Sequence, residues 1–166
     1  MSNLPFIQPK RDIYLNLGIL LIIINRLAVT SNGKRNLSFE RLQCFYFLVN
    51  NPLILNKVVS LAERKEINIK NSYFYKVESV SLDVDDLYDK NKLKLLIKII
   101  SLYGYLSVEI NSDSGFVFYL SDKGSNLVSS LDSDYFNEIN QLVEALLFLR
   151  SKSISKIVGF IRNAIR

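Results

Sequence analysis

The stretch Ile13 to Val29, IYLNLGILLIIINRLAV, decides most of what this chain can become. A membrane span needs about 20 consecutive apolar residues. Here Asn16 interrupts the run and Asn25 and Arg26 close it. No basic leader with a small-residue cleavage site precedes it, so a signal peptide is not expected. The segment therefore predicts a buried helix from about Asp12 to Val29. It is apolar on nearly every side, so it must sit at the centre of the fold or be covered by a partner. With 49% apolar residues, the chain can supply such a centre.

The rest of the chain reads as mostly helical. Met1 to Pro9, with Pro5 and Pro9, predicts an extended arm. TSNGKRN predicts a loop around Gly33. Ser38 is the expected N-cap of a helix to about Val49, with Glu40 in its first turn. Pro52 suits the first turn of the next helix, to about Arg64, and the pair forms a helix–turn–helix-like corner. Lys65 to Val84 alternates in patches, INIK and VSLDV, which permits a strand or an irregular connection.

Asp85 to Tyr103 predicts a helix on the spacing of Leu93, Leu96, Ile97 and Ile100, ended by Gly104. Tyr105 to Ile110 and Gly115 to Leu120 predict a β-hairpin around NSDSG. Leu106, Val108 and Ile110 face one way, Ser107 and Glu109 the other. Ser121 should cap a helix containing DKGSNLVSSL. A helix starting at Asp132 to Asp134 carries the stripe Tyr135, Phe136, Ile139, Leu142, Val143, Leu146, Leu147 and Leu149. RSKSIS interrupts it, and an amphipathic helix runs from Ser153 to Arg166.

The helix, glycine, hairpin and capped helix over residues 93 to 131 resemble the second half of a winged-helix domain. LSDKG stands where the L-T-x-K-G of such domains follows the wing. The expected class is mainly α with a small β-hairpin: a winged-helix-like core with N- and C-terminal helical extensions. Residues 1–131 form the core domain and 132–166 the C-terminal helical extension.

Few chemistries are open to this chain. It has no histidine, one cysteine, no phosphate-gripping GxxxxGK[ST] loop and no GxGxxG turn. That removes Ser-His-Asp and Cys-His catalysis, histidine zinc sites and thiolate clusters. The lone Cys44 forbids an internal disulfide and suits a reduced, cytoplasmic protein. Asp83, Asp85, Asp86 and Asp89 are the one dense carboxylate cluster. They read as solvated residues at a helix start, where negative charge is favoured. No catalytic residue, metal site or cofactor is assigned.

Formal net charge is +5, and it is unevenly spread. From Arg150 to Arg166 there are basic residues and no acidic ones. The helix before the hairpin offers Lys90, Lys92, Lys94 and Lys98. The hairpin itself has Glu109 and Asp113 and no Lys or Arg, so sequence-specific DNA readout by a wing is not expected. Candidate nucleic-acid contacts are Lys152, Lys156, Arg162 and Arg166, with Lys92, Lys94 and Lys98 beside them. They suit contact with double-stranded DNA without sequence specificity. The same last helix also suits a solvated basic face with its apolar face docked on a partner or the core, or a membrane surface. Candidate partner contacts are Leu142, Leu146, Leu149, Ile157, Phe160 and Ile161.

RDIYLNLGILLIIINRL, LSFERLQCFYFLVNNPLILNKVV and the terminal YLSDKG, in this order, resemble the middle-component subunits of bacterial ABC-three-component systems. The Lamassu-type accessory subunit is one example. The resemblance covers roughly residues 10 to 131. It implies a non-catalytic accessory subunit in a hetero-oligomer. Such a subunit would bridge an SMC-like ABC ATPase and a nuclease-type effector, restraining the effector until foreign DNA is sensed. Two other classes stay open: a stand-alone winged-helix transcription regulator that dimerises through its C-terminal helices, and a membrane-peripheral protein using the last helix.

Overall fold

A computed structural model describes residues 12–63 and 89–166. The arm predicted at Met1 to Pro9, the connection at Lys65 to Val84, and Asp83, Asp85 and Asp86 lie outside the described residues. Helix α1 spans Ile13–Leu27. Asp12 caps it, accepting from the Tyr14 and Leu15 amides at 2.9 and 3.1 Å. Ile19 to Ile24 are all buried. The one buried polar side chain of the helix, Asn16, donates to the Asp12 carbonyl at 2.6 Å and accepts from the Tyr46 hydroxyl. Gly18 lets the Phe136 ring approach: a Cβ there would sit 2.4 Å from it.

Helices α2 (Phe39–Asn50) and α3 (Pro52–Glu63) follow, with Ser38 capping α2. Asn51 separates them, and they are bent by 112°. No single helix among the described residues is long and apolar enough to cross a membrane; α2 and α3 reach that length only across their bend. Helix α4 covers Lys90–Leu102, capped by Asp89. Gly104, at φ +73°, ends it, and the Tyr105 amide returns to the Ile100 carbonyl. Strands β1 (Leu106–Asn111) and β2 (Gly115–Leu120) form the predicted hairpin. Helices α5 (Asp122–Ser129), α6 (Asp134–Glu144) and α7 (Ile154–Ile165) complete the chain, with a short 3-10 turn at Leu147–Leu149. The described residues are mainly helical with one small antiparallel hairpin.

The SDKG stretch ties the hairpin to the helices on either side. The Ser121 hydroxyl caps α5 at the Gly124 amide and donates to the Gly104 carbonyl at 2.7 Å. The Ser121 amide donates to the Tyr105 carbonyl at 3.0 Å. Lys123 donates to the Tyr103 carbonyl at 2.8 Å and lies over the Tyr105 ring. Gly124 is required by space: a Cβ would meet the Tyr105 carbonyl oxygen at 2.3 Å.

The structure decides which face of the hairpin is buried, a choice the alternation left open. Its register pairs Val108 with Phe118 and Ile110 with Phe116, so these share one face. That face turns outward over its outer half. Val108 is 48% exposed, Ile110 78% and Phe116 63%. The opposite face, with Glu109 and the buried Val117, turns inward. The loop between α1 and α2 explains this. Arg35 pairs with Glu109 and stacks on Tyr119 at 3.6 Å. Asn111 donates to the Arg35 carbonyl at 3.3 Å. Lys34 pairs with Asp113 at 2.7 Å and holds that carboxyl below its usual range, chiefly through the hydrogen bond. The Phe118 amide donates to the Leu37 carbonyl at 2.9 Å, a backbone bond from β2 to the loop.

The C-terminal stripe is placed differently from expectation. Helix α6 packs on α1, and α7 packs on α3 and α2. Leu142, Leu146, Leu149, Ile157 and Ile161 are buried in the chain's own core and are not offered to a partner here. Phe160 keeps partial exposure. The reason is mutual coverage: α3 and α7 each present an apolar face that the other buries. One core thus takes side chains from both 1–131 and 132–166. Arg41, a buried charge, fixes the connection into α7 by donating to the Arg150 and Lys152 carbonyls at 3.2 and 2.6 Å.

Two glycine substitutions should act with opposite signs. Gly124→Ala forces backbone apart and should destabilise by about 1–3 kcal/mol. Gly159→Ala, with open space at its Cβ inside α7, should stabilise by about 0.5–1 kcal/mol. Denaturant midpoints decide both. Burial in apolar surroundings pushes the Cys44 thiol up to about 11. Thiol reagents at pH 8 should therefore label Cys44 only after denaturant unfolds the chain; rapid labelling of the native protein would contradict its burial.

Candidate interaction surfaces

The candidate functional features among the described residues are surfaces. No group of three His, Cys, Asp or Glu side chains among these residues is arranged to hold a metal ion. The first surface is the outward hairpin face, Val108, Ile110 and Phe116. The acidic groups of this hairpin, Glu109 and Asp113, are engaged by Arg35 and Lys34 of the neighbouring loop. What the hairpin presents to solvent on this face is apolar.

The second surface is an apolar hollow of about 370 Å³ beside α1. Tyr14, Leu17, Tyr103, Tyr105, Leu127 and Phe136 are among its walls. Gly18 lines it too, with the Phe136 ring packed against that glycine. Tyr103 and Tyr105 stack across the glycine with ring centres 5.8 Å apart.

The third surface is basic. Lys152, just before α7, and Lys156, in its first turn, line a shallow groove of about 350 Å³ with Gly159, Phe160 and Asn163. Asn163 also lines a second groove of about 340 Å³, with Ala164, Arg166 and the α3 residues Asn56, Lys57, Ser60 and Leu61. Neither lining contains an acidic side chain among the described residues. Of the predicted basic residues, Lys152, Lys156 and Arg166 are thus brought together. Arg162 is exposed but lines neither groove.

Lys57 was not among the residues predicted from the sequence. Its signal is the packing of α3 on α7, a long-range pairing that no local pattern reveals.

The lysines of α4 are divided. Lys94 and Lys98 are exposed on one face. Lys92 is half-buried toward α2, 6.0 Å from the Tyr46 ring centre, at the rim of a small cavity that also includes Asp89. These residues do not form a single basic face.

The exposed apolar and basic surfaces suit a protein that works by assembly. Comparison with known families agrees. The model of the family ABC-three component (ABC-3C) system Middle Component 4 matches residues 27–159. No curated protein and no solved structure matches. The match begins in the last turn of α1 and ends inside α7, so it takes in the hairpin, the SDKG tie and the start of the basic groove. This chain belongs to the Middle Component 4 family of ABC-three component systems and is an accessory component of a multi-subunit system.

Proposed function

We propose that this chain is a non-catalytic bridging subunit of a Lamassu-type antiphage defence complex in the cytoplasm. It joins an SMC-like ABC ATPase to a nuclease-type effector and restrains the effector until DNA is sensed. The observation that carries the bridging role is the inverted hairpin. Its polar inner face is fastened to the Lys34 and Arg35 loop, which commits Val108, Ile110 and Phe116 to solvent in the free chain. Clustered exposed apolar side chains of this kind mark a protein interface. Covering them on assembly removes apolar area from water at roughly 25 cal/mol per Å².

The winged-helix reading is part of this proposal. The order α4, β1, β2, α5, with Leu37 bonded to β2, supports it. A stand-alone winged-helix transcription regulator would need cations on the hairpin to meet phosphates. This hairpin has none. The membrane-peripheral alternative needs the apolar face of α7 free for insertion. Ile157, Ile161 and Ala164 are instead spent in the core.

The test is co-expression with the ATPase and effector of the same system. The wild-type chain should co-purify with at least one of them. The double variant Ile110→Asp, Phe116→Asp should retain its melting temperature and helical circular dichroism, because both positions are solvent-facing. Its recovery with the partner should fall at least tenfold. A wild-type chain that purifies without either subunit, or a double variant that assembles normally, would refute the proposal.

A further inference from the structure

We infer that the seam between α3 and α7 is a track for the phosphate backbone of duplex DNA. The two grooves share Asn163 in their linings. Lys152 and Lys156 stand at one end, Lys57 and Arg166 at the other. All four side chains belong to exposed residues. Asn56, Ser60 and Asn163 add polar groups between them, and no acidic side chain of the described residues enters either lining. Clustered cations with amide and hydroxyl groups suit phosphate oxygens.

Length agrees with the assignment. Helix α7, Ile154–Ile165, is about 18 Å long at 1.5 Å per residue. That spans about five phosphates of one strand at 3.4 Å each. The choice of duplex over single strand rests on the aromatic content. Single strands are gripped by bases stacking on aromatic rings. The sole aromatic in either lining, Phe160, is half-buried against the core. The surface thus meets backbones and has no platform for unstacked bases. An acidic protein is the competing partner class. The open, shallow shape and the scarcity of apolar anchors disfavour it, because protein interfaces concentrate energy in a few buried anchors.

The inference deepens the proposed function. It rests on that reading only for DNA being what the complex encounters; the charge and shape arguments are independent of it. The seam also differs from the basic helix foreseen in the sequence. One of its two grooves is walled by α3, and Arg162 lines neither.

The experiment is fluorescence anisotropy with the full chain alone and a labelled 30-base-pair duplex, repeated with single-stranded DNA and RNA of equal length. At 50 mM salt, measurable duplex binding is expected. The slope of log affinity against log salt should be roughly −3 to −4, as four phosphate contacts imply. Lys57→Glu should weaken binding at least tenfold with its melting temperature preserved. Lys57→Glu combined with Lys156→Glu should leave no measurable binding. Lys94→Glu with Lys98→Glu, on α4, should bind as wild type.

Absent wild-type binding, an unaffected Lys57→Glu variant, equal loss in the α4 variant, or tighter binding of single strands would each overturn the inference. Co-purification with the ATPase or effector is a separate readout, so loss of DNA binding with intact assembly fails this inference alone. Intact binding without assembly fails only the bridging proposal.

Discussion

Helix α1 buries every side chain from Ile19 to Ile24, and a helix wetted on no side needs neighbours all around it. That requirement arranges much of the molecule. Helices α2, α4, α5 and α6 and strand β2 all pack against α1. The polar interruption at Asn16 is tolerated because the Asp12 carbonyl and the Tyr46 hydroxyl satisfy its amide within the fold. The missing side chain at Gly18 admits a ring from α6. Helix α3 lies farther out, and α7 closes its far side. The core thus continues from α1 through α2 into the α3–α7 pair.

The two ties around the hairpin set what the molecule shows to partners. At its base, SDKG packs α5 against the end of α4 so closely that only glycine fits at 124. Along its inner face, the loop before α2 supplies both cations and a backbone acceptor. Each exposed ion pair contributes little by itself. Together with Val117 and the Phe118 amide, they choose which face is inside. A choice made by polar groups leaves the apolar face outward, and this is the feature that most separates this hairpin from one that reads DNA.

Local signals in the sequence were sufficient for local structure. Asp12, Ser38, Ser121 and Gly104 stand at or within a residue of the helix boundaries they suggested, and Pro52 opens α3 as its fixed φ favours. Alternation in Leu106, Val108 and Ile110 revealed the hairpin but not its orientation. Period two separates two faces without saying which is wet, and the deciding partner, Arg35, lies far away in sequence. The stripe from Leu142 to Ile161 was legible as a surface that must be covered. Whether by the chain itself or by another protein depends on α3, whose facing residues carry no mark of that pairing. Lys57 escaped notice for the same reason.

Arg41 gives the basic seam a mechanical property. Its guanidinium holds two successive turns of chain, at Arg150 and Lys152, just before α7 begins, while Arg150 itself reaches the Val29 carbonyl. The root of α7 is therefore riveted to the first turn of α2 and to the start of the α1–α2 connection. Tension applied along α7 by anything bound there is delivered to those two points, and the second of them leads directly into the loop that orients the hairpin. Load taken up at one end of the molecule has a short covalent and hydrogen-bonded route to the other.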